Sequence, residues 1–272
     1  MTKALRFQLY QPTAHFRDYR FSQDNYLGTL PLPSPTTVIG MLAYLCDERF
    51  EEELQVAISG VSAAKETHFL RGEIGTFWKE YQTFLKQKKL KDWTDSKNYR
   101  HFKDNIVKNR IMNVEVLREL ELTIFVTGSE ATLQRIHQHL LHPQRYLSLG
   151  RKEDFALLGK IDRSTDTNKF VPVKPVLLDV EINQGMPLIE LLQQKIKLDK
   201  CYLPVSENTS DKILDAGPIF RLPHTYRDIK AEKVDREYQV KTYVYLDEGL
   251  YPENQALAYC NYQEQKEYFV WM

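Results

Sequence analysis

The sequence predicts an α+β fold, with strands and helices mixed along the first two thirds of the chain and a smaller β-rich region after them. Segments with strand alternation and segments with a helical period follow one another in the first part of the chain. The 272 residues include 16 Tyr and 13 Phe but 11 Gly, a composition typical of sheet-rich proteins with large aromatic contacts. The length suffices for one large domain or two modest ones.

The first strand is predicted over residues 3–10. Leu5, Phe7 and Leu9 alternate there with polar residues, which is the period of a half-buried strand. Pro12 is expected to end this strand, because proline lacks the N–H that a sheet ladder needs.

The first helix is predicted to begin at Ser34, after a long polar loop over residues 13–33. Ser34 is a suitable N-cap, and Pro35 occupies the first helical position, where no N–H is needed. An apolar face follows, and Gly40 is expected to allow a close approach to a neighbouring element. The helix is expected to end in the acidic stretch 47–53.

The next elements complete the order of the first domain. A strand is predicted over residues 54–61, a helix over 77–90, the strongest strand pattern over 111–127 and an amphipathic helix over 130–141. The fourth strand of the domain is expected within 155–180. With the long insertion left aside, this is the β-α-β-β-α-β order of a ferredoxin-like or RRM-like domain.

The last part of the chain is predicted to be rich in strands. A helix is predicted over residues 188–197, and Tyr- and Val-rich strands over 240–246 and 268–271. These strands either form a smaller β-rich region or extend the first sheet. We expect a first domain over residues 1–185 and the smaller region over 186–272.

Composition excludes several classes of protein. Lys plus Arg and Asp plus Glu are both 37, so the formal charge is zero, which argues against binding of nucleic acid by bulk charge alone. No window approaches 18 uninterrupted apolar residues, so no membrane span is expected, and no signal peptide is visible. Cys46, Cys201 and Cys260 are too far apart for a paired metal motif. We expect a reduced, cytoplasmic protein without cofactor or metal.

The charge is distributed unevenly along the chain. Residues 65–110 hold twelve Lys and Arg against six Asp and Glu, and residues 145–174 hold seven against four, whereas 228–272 hold five against nine. Aromatic residues are interleaved with the two basic segments. Cations near phosphates and rings that stack on bases are the chemistry of RNA binding. A solvated helix face with ordinary strand aromatics is the alternative interpretation.

Two local features are suited to binding phosphate. Gly150 lets a backbone approach closely, and Arg151 and Lys152 after it supply positive charge. The helix start with Ser34 and Thr36 offers hydroxyls beside the N-terminus of a helix. A plain turn and a plain helix cap are the respective alternatives.

These features together resemble one protein family. Phe16-Arg17, the segment Leu-Pro-Leu-Pro-Ser-Pro-Thr-Thr-Val-Ile-Gly-Met-Leu at residues 30–42 and the segment Tyr-Leu-Ser-Leu-Gly-Arg-Lys-Glu at residues 146–153 carry the resemblance. They resemble the Cas-five family, the RAMP-type subunit of CRISPR Cascade complexes, in a form most similar to type I-B. The resemblance extends over about residues 1–180.

The resemblance implies a fold and a set of partners. It implies a ferredoxin-like RAMP domain with an inserted β-hairpin thumb, which would lie in the basic insertion at about 71–110. It implies a non-catalytic subunit that holds the 5′ handle of the crRNA and caps a backbone of Cas-seven subunits. The large subunit that recognises the PAM would be its neighbour, and target DNA near the PAM a further contact.

The expected RNA contacts fall into four groups. Arg17 and Arg20 would reach phosphates from the first long loop, and Ser34 and Thr36 from the helix start. The other candidates lie along the thumb or in the loop before the fourth strand: Arg71, Lys103, Lys108, Arg110, Tyr146, Ser148, Gly150, Arg151 and Lys152.

Two other functions remain open from the sequence. Some relatives, in type I-C systems, cut precursor RNA without metal by acid-base chemistry of Tyr, Lys and His, and Tyr99, His101 and Lys103 lie close together in the insertion. A protein-interaction module without RNA would fit the neutral charge and the acidic end. A metal site is not expected, because His137 and His139 lie on different faces of their predicted helix.

Overall fold

The computed structural model describes residues 2–23, 26–71, 77–87, 100, 111–164, 168–206, 209–228 and 236–272. These residues form an α+β structure with a large antiparallel sheet, which confirms the predicted fold class. No helix within the described ranges has the length and apolar character needed to span a bilayer.

The strands and helices are numbered in chain order. The strands are β1 (Thr2–Ala14), β2 (Arg17–Gln23), β3 (Tyr26–Thr29), β4 (Gln55–Val61), β5 (Ala64–Arg71), β6 (Ile111–Thr127), β7 (Leu157–Asp162), β8 (Lys169–Pro172), β9 (Val176–Gln184), β10 (Cys201–Pro204), β11 (Ile219–Asp228), β12 (Arg236–Leu246), β13 (Ala256–Tyr262) and β14 (Gln265–Phe269). The helices are α1 (Pro35–Cys46), α2 (Phe77–Gln87), α3 (Glu130–Leu141), α4 (Leu188–Gln194) and α5 (Asp211–Leu214).

The chain divides into two compact units. The first unit comprises Met1–Phe16, Pro31–Ala64 and Leu117–Met272. The second unit comprises Arg17–Leu30 and Lys65–Val116.

The first unit is built on four strands in the order β4-β6-β1-β9, each antiparallel to its neighbour. In the central register Phe7 lies opposite Ile124, and Ile124 lies opposite Ile58. All three side chains are buried. Helices α1 and α3 pack against each other, and α3 also contacts β1 and β9. The predicted strands at 54–61 and 111–127 and both predicted helices are therefore confirmed.

The C-terminal strands extend this sheet at both edges. Strands β10, β12 and β11 follow β4 on one side, and β13 and β14 follow β9 on the other. A cluster of buried apolar residues that includes Leu191, Leu203 and Leu246 holds the β10–β12 edge to α4. Of the two alternatives left by the sequence, the strands after residue 187 extend the first sheet.

Three local expectations are wrong. Pro12 does not end β1, which continues to Ala14, because Pro12 lies where the ladder with β6 is interrupted, opposite Glu119 with its positive φ of 49°. Such an irregular position needs no proline N–H. Residues 13–33 are not one loop, since β2 and β3 pair there as an antiparallel hairpin. Gly40 approaches no neighbour among the described residues, because an added Cβ would have none of their atoms outside its own helix within 4 Å.

The second unit contains the β2–β3 hairpin, β5, α2 and the first part of β6. Strand β3 runs parallel to β6, with Tyr26 opposite Asn113, and β5 also pairs with β6. The Glu115 carboxylate accepts the Thr29 N–H at 3.0 Å and lies 3.0 Å from the Lys65 ammonium. Of the insertion at 71–110, α2 confirms the predicted helix, and the rest of the predicted thumb lies almost wholly outside the described residues.

Candidate nucleic-acid interface

The loop between α3 and β7, which carries the Gly-Arg-Lys motif, closes on itself. Ser148 and Phe155 form an antiparallel bridge, and the Ala156 N–H donates to the Leu147 carbonyl at 2.9 Å. Gly150 has a φ of +95°, and an added Cβ would lie 2.7 Å from the His15 carbonyl oxygen. Only glycine meets both demands without strain, so this glycine is a requirement of the turn.

A buried carboxylate organises the loop from within. Asp154 is 1% exposed and accepts the His15 N–H at 3.1 Å and the Thr13 hydroxyl at 3.4 Å. The Arg151 Nε and Nη2 each donate to it at 2.8 Å. The hydrogen bond to Asp154 raises the pKa of Arg151, although partial burial opposes the shift. The guanidinium that the sequence assigned to RNA phosphate therefore has an internal partner.

Gln11 on β1 fixes the same loop from the sheet. Its side-chain Nε2 donates to the carbonyl oxygens of Leu149 at 3.0 Å and of Asp154 at 3.1 Å. Neither Gln11 nor Asp154 was among the expected site residues. Gln11 carries a usable signal, because it continues the alternation of Leu5, Phe7 and Leu9 and so had to be a buried polar residue with a partner.

The outer side of the loop presents backbone donors. Within the described part of the chain, the N–H groups of Gly150, Arg151 and Lys152 have no protein acceptor. The Lys152 side chain is exposed, and Tyr146 is 57% exposed. Successive free N–H groups beside a cation form a concave site for a phosphate oxygen. The motif residues at 146–152 thus lie together on one surface loop, as expected.

The α1 start is a helix cap. The Ser34 hydroxyl accepts the Thr37 N–H at 3.4 Å, which confirms the predicted N-cap. Ser34 is buried, and its oxygen lies 3.1 Å from the Thr36 hydroxyl oxygen. The Thr36 hydroxyl donates to the Pro223 carbonyl at 3.4 Å. Both hydroxyls assigned to phosphate in the sequence thus have partners inside the first unit.

In the second unit, β2 combines cations with exposed rings. The Arg17 guanidinium lies 5.1 Å from the centre of the Tyr19 ring, and the Arg20 guanidinium lies 5.3 Å from that of Phe21. Arg20 also pairs with the buried Asp18 carboxylate, with Nη2 2.8 Å from Oδ2. Tyr19 and Phe21 are 73% and 57% exposed, an arrangement suited to stacking on bases. From the sequence, both arginines were expected to lie in a loop, and neither ring was among the expected RNA contacts.

The remaining expected contacts lie on the insertion. The backbone of Arg71 belongs to β5. The other expected thumb residues, and the proposed acid-base residues of the insertion, lie outside the described residues: Lys103, Lys108, Arg110, Tyr99 and His101.

A polar cluster that the sequence did not indicate lies in the first unit. His224, which is 3% exposed, has its Nδ1 3.0 Å from the Tyr243 hydroxyl and its Nε2 2.7 Å from the Lys241 ammonium. Its Nε2 also lies 3.3 Å from a Glu53 carboxylate oxygen. Burial, followed by the charge of Lys241, lowers the pKa of His224.

Throughout the described ranges, no group of three or more His, Cys, Asp and Glu is placed to hold a metal ion. Cys46, Cys201 and Cys260 are buried free thiols. Burial raises the pKa of Cys201 to about 12, so this thiol stays protonated at neutral pH.

Comparison with solved structures gives low similarity scores. A chain of a structure titled "CRISPR RNA-guided surveillance complex" has 15% identity and a TM-score of 0.44, with 92% of this chain and 90% of that chain covered. A crystal structure of a Cas protein has 14% identity and a TM-score of 0.42, with coverage of 93% and 97%. A CRISPR protein from Archaeoglobus fulgidus has 10% identity and a TM-score of 0.37, with coverage of 98% for both chains. No curated protein matches the chain.

Comparison with family models gives the assignment. The model described as "CRISPR-associated protein (Cas_Cas5)" matches residues 4–189, well over half of the chain. This range contains β1, the α1 cap and the Gly150 loop with the Asp154 carboxylate that organises it. The chain therefore belongs to the CRISPR-associated Cas-five family.

Proposed function

We propose that this chain is the non-catalytic crRNA-binding subunit of a type I Cascade complex, in a form most similar to type I-B. It holds the 5′ handle of the crRNA and caps the backbone of Cas-seven subunits next to the large PAM-reading subunit. The observation that carries the proposal is the row of N–H groups at Gly150, Arg151 and Lys152, which lie on an exposed loop and have no acceptor among the described residues.

The internal bonds of this loop favour RNA binding. Asp154 and Gln11 fix its backbone before any ligand arrives. A site that is already ordered loses less conformational entropy when it binds a phosphate. Lys152 adds charge attraction, and the exposed Tyr146 ring offers a surface on which a base of the handle can stack.

The second unit supplies a separate supporting feature. The β2 strand presents Arg17 and Arg20 with the exposed rings of Tyr19 and Phe21. Stacking of bases on such rings tolerates any sequence and is strengthened by neighbouring cations. The basic thumb over residues 71–110 remains part of the proposal.

The architecture of the first unit is consistent with this assignment. The order β4-β6-β1-β9, with α1 and α3 in the two crossovers, supports a ferredoxin-like RAMP core. The acidic C-terminal region is available for contacts with protein subunits, and target DNA near the PAM is a further partner. We assign the subunit to the cytoplasm, where crRNA complexes assemble.

The proposal is tested by RNA binding in two settings. The chain is co-expressed with its neighbouring genes and a repeat-spacer RNA, and the copurified RNA is sequenced for the handle. Anisotropy with a labelled handle RNA then measures affinity in rising salt. We expect Lys152→Ala to lower the salt slope by about one, whereas Lys212→Ala on the exposed surface of α5 leaves it unchanged. No RNA binding at low salt, alone and in the complex, would contradict the proposal.

A metal-independent endoribonuclease is the second candidate. The specific observation in its favour is the contact of His224 with the Lys241 ammonium and the Tyr243 hydroxyl, which are acid-base groups. Tyr243 is completely buried and His224 is 3% exposed, whereas Lys241 is exposed. Incubation with repeat RNA in EDTA separates the candidates. Specific cleavage that is lost in His224→Ala or His101→Ala would overturn the non-catalytic assignment.

A further inference from the structure

We propose that the first unit has a second RNA contact, a groove on the face of its sheet opposite α1 and α3 that receives one nucleotide of single-stranded RNA. The inference rests on the proposed function, namely that the chain binds RNA. The groove is distant in sequence from the Gly150 motif. It is formed by central residues of three adjacent strands, β1, β6 and β4.

The first row on this face is covered by the chain itself. Arg6, Phe125 and Ala57 lie side by side across the three strands. The Phe269 ring of β14 stacks on Phe125, with ring centres 3.9 Å apart. The Glu267 carboxylate clamps the Arg6 guanidinium at 2.6 and 2.8 Å. The side chains of this row are therefore almost completely buried, although Ala57 and Phe125 still line a small cavity.

The second row is polar and remains open. Gln8, Thr123 and Ser59 lie side by side two residues further along the strands. A cavity of about 490 Å³ lies over them. A smaller cavity of about 230 Å³ also reaches Ser59 and Thr123. Volumes of this size hold small organic ligands, and a nucleotide is within their range.

The row offers hydrogen bonds of the kind that read a base edge. The Gln8 amide nitrogen donates to the Thr123 hydroxyl at 3.3 Å, which leaves the Gln8 amide oxygen as acceptor and the Thr123 hydroxyl as donor. The Ser59 hydroxyl has no partner within the described part of the chain. Neighbouring strands lie about 4.8 Å apart, so the three groups together span about the width of a base.

The rim of the groove carries charges of both signs. Lys160, Arg163 and Lys200 line it, against the carboxylates of Glu121 and Asp199. Arg163 pairs with Glu121, which also accepts the Ile161 N–H at 2.9 Å, so this acid is neutralised within the wall. Lys200 pairs with Asp247, whereas Lys160 has no ion-pair partner in the described ranges. A cation beside a neutral polar floor suits a phosphate attached to a base.

The same features disfavour an apolar peptide as occupant. The floor consists of an amide and two hydroxyls, and burial of these groups under an apolar side chain would leave them without partners. Each such loss costs about 1–3 kcal/mol. RNA satisfies the polar floor through its base and the rim through its phosphate.

The test uses the purified full-length chain and fluorescein-labelled 12-nucleotide homopolymers of A, U and C. Thr123→Val keeps the shape of the side chain and removes its hydroxyl, Lys160→Ala removes the rim cation, and Lys212→Ala is the matched control. We expect Lys160→Ala to weaken all three RNAs about fivefold and to lower the salt slope by about one. We expect Thr123→Val to change the ratio of affinities among the three RNAs by about fivefold, because base contacts carry specificity. Thermal unfolding verifies that each variant is folded.

A second measurement locates the contact. RNA that contains 4-thiouridine is crosslinked to the wild-type chain, and mass spectrometry maps the adducts. Adducts on peptides of β4, β6 or β7 support the groove.

The outcomes separate the groove from the proposed function. In one outcome the wild-type chain binds RNA, Lys152→Ala weakens this binding, and both Lys160→Ala and Thr123→Val bind RNA as Lys212→Ala does. The inferred RNA contact in the groove is then wrong, and the proposed function stands. If the wild-type chain binds no RNA alone or in the complex, both are wrong. If Lys160→Ala loses a protein subunit on copurification with RNA affinity unchanged, the groove is a protein interface and the inference is overturned.

Discussion

The buried carboxylate of Asp154 holds the guanidinium of Arg151 through two hydrogen bonds of 2.8 Å. An arginine that the sequence assigns to RNA phosphate is therefore the internal partner that keeps the Gly150 loop closed. Its loss would act on RNA binding through the shape of the loop, whereas loss of the exposed Lys152 would act through charge alone.

Asp154→Ala is expected to destabilise the fold strongly. It removes the buried acceptor of the His15 N–H and of the Arg151 guanidinium, which keeps the exposed Glu153 carboxylate 3.4 Å from its Nε. Removal of the buried partner of such a pair costs about 3 kcal/mol. Urea denaturation followed by circular dichroism measures the free energy of unfolding. Glu153→Ala is the control, because this neighbouring carboxylate is exposed and should change the value by less than about 0.5 kcal/mol. Equal stability of the two variants would contradict the role of Asp154.

Gly150→Ala is expected to destabilise, and Gly40→Ala to stabilise. At Gly150 the added Cβ would lie 2.7 Å from the His15 carbonyl oxygen and the φ of +95° is strained for alanine, which together cost about 2 kcal/mol. At Gly40, inside α1, the added Cβ has no atom of a neighbouring element within 4 Å in the described part of the chain. Alanine there should gain about 0.5–1 kcal/mol of helix propensity. Differential scanning fluorimetry measures the melting temperature of each variant against the wild type. Shifts of the same sign in the two variants would contradict the different roles assigned to Gly150 and Gly40.

Elements with strong local signals were predictable from the sequence. The α1 cap at Ser34, strand β6 and helix α3 are formed where capping residues and hydrophobic periods agree. Strand β5 was missed because Ala64–Arg71 has no apolar alternation, and its pairing with β6 is a tertiary contact. The β2–β3 hairpin was missed for the same reason.

The position of the candidate site was predictable from the sequence, whereas the roles of some of its residues were not. The motif around Gly150 located the loop, because glycine and adjacent cations are visible in sequence. The role of Asp154 depends on His15 and Thr13, some 140 residues earlier, which β1 brings to the loop. No local pattern encodes that contact. The groove over Gln8 and Thr123 likewise depends on strand register.

Glu267→Ala is expected to loosen β14 from the sheet. Arg6 is almost completely buried and depends on Glu267 for two hydrogen bonds, and its Nη1 already has no partner in the described part of the chain. An uncompensated buried guanidinium costs about 3 kcal/mol. Hydrogen exchange with mass spectrometry should show faster exchange in β13 and β14, whereas Lys266→Ala, which removes a neighbouring exposed lysine, should not. Unchanged exchange in Glu267→Ala would show that the Arg6–Glu267 pair does not hold β14 to the sheet.

Acidification is expected to destabilise the protein through His224. Burial and the adjacent Lys241 ammonium lower its pKa in the folded state, and the nearby Glu53 carboxylate only partly opposes them. In the unfolded chain the imidazole takes up its proton near its ordinary pKa of about 6.5. As the pH falls through 6.5 toward the lower folded pKa, the unfolded state binds more protons, so the free energy of unfolding decreases.

Melting temperatures measured from pH 7.5 to pH 5 test this coupling. The wild-type protein should lose stability more steeply below pH 6.5 than His224→Gln, which cannot take up a proton, whatever the offset between the two at pH 7.5. His142→Gln, at the C-terminus of α3, is the control and should follow the wild-type curve. If the His224→Gln curve has the same slope as the wild type, the Tyr243–His224–Lys241 cluster does not couple protonation to folding.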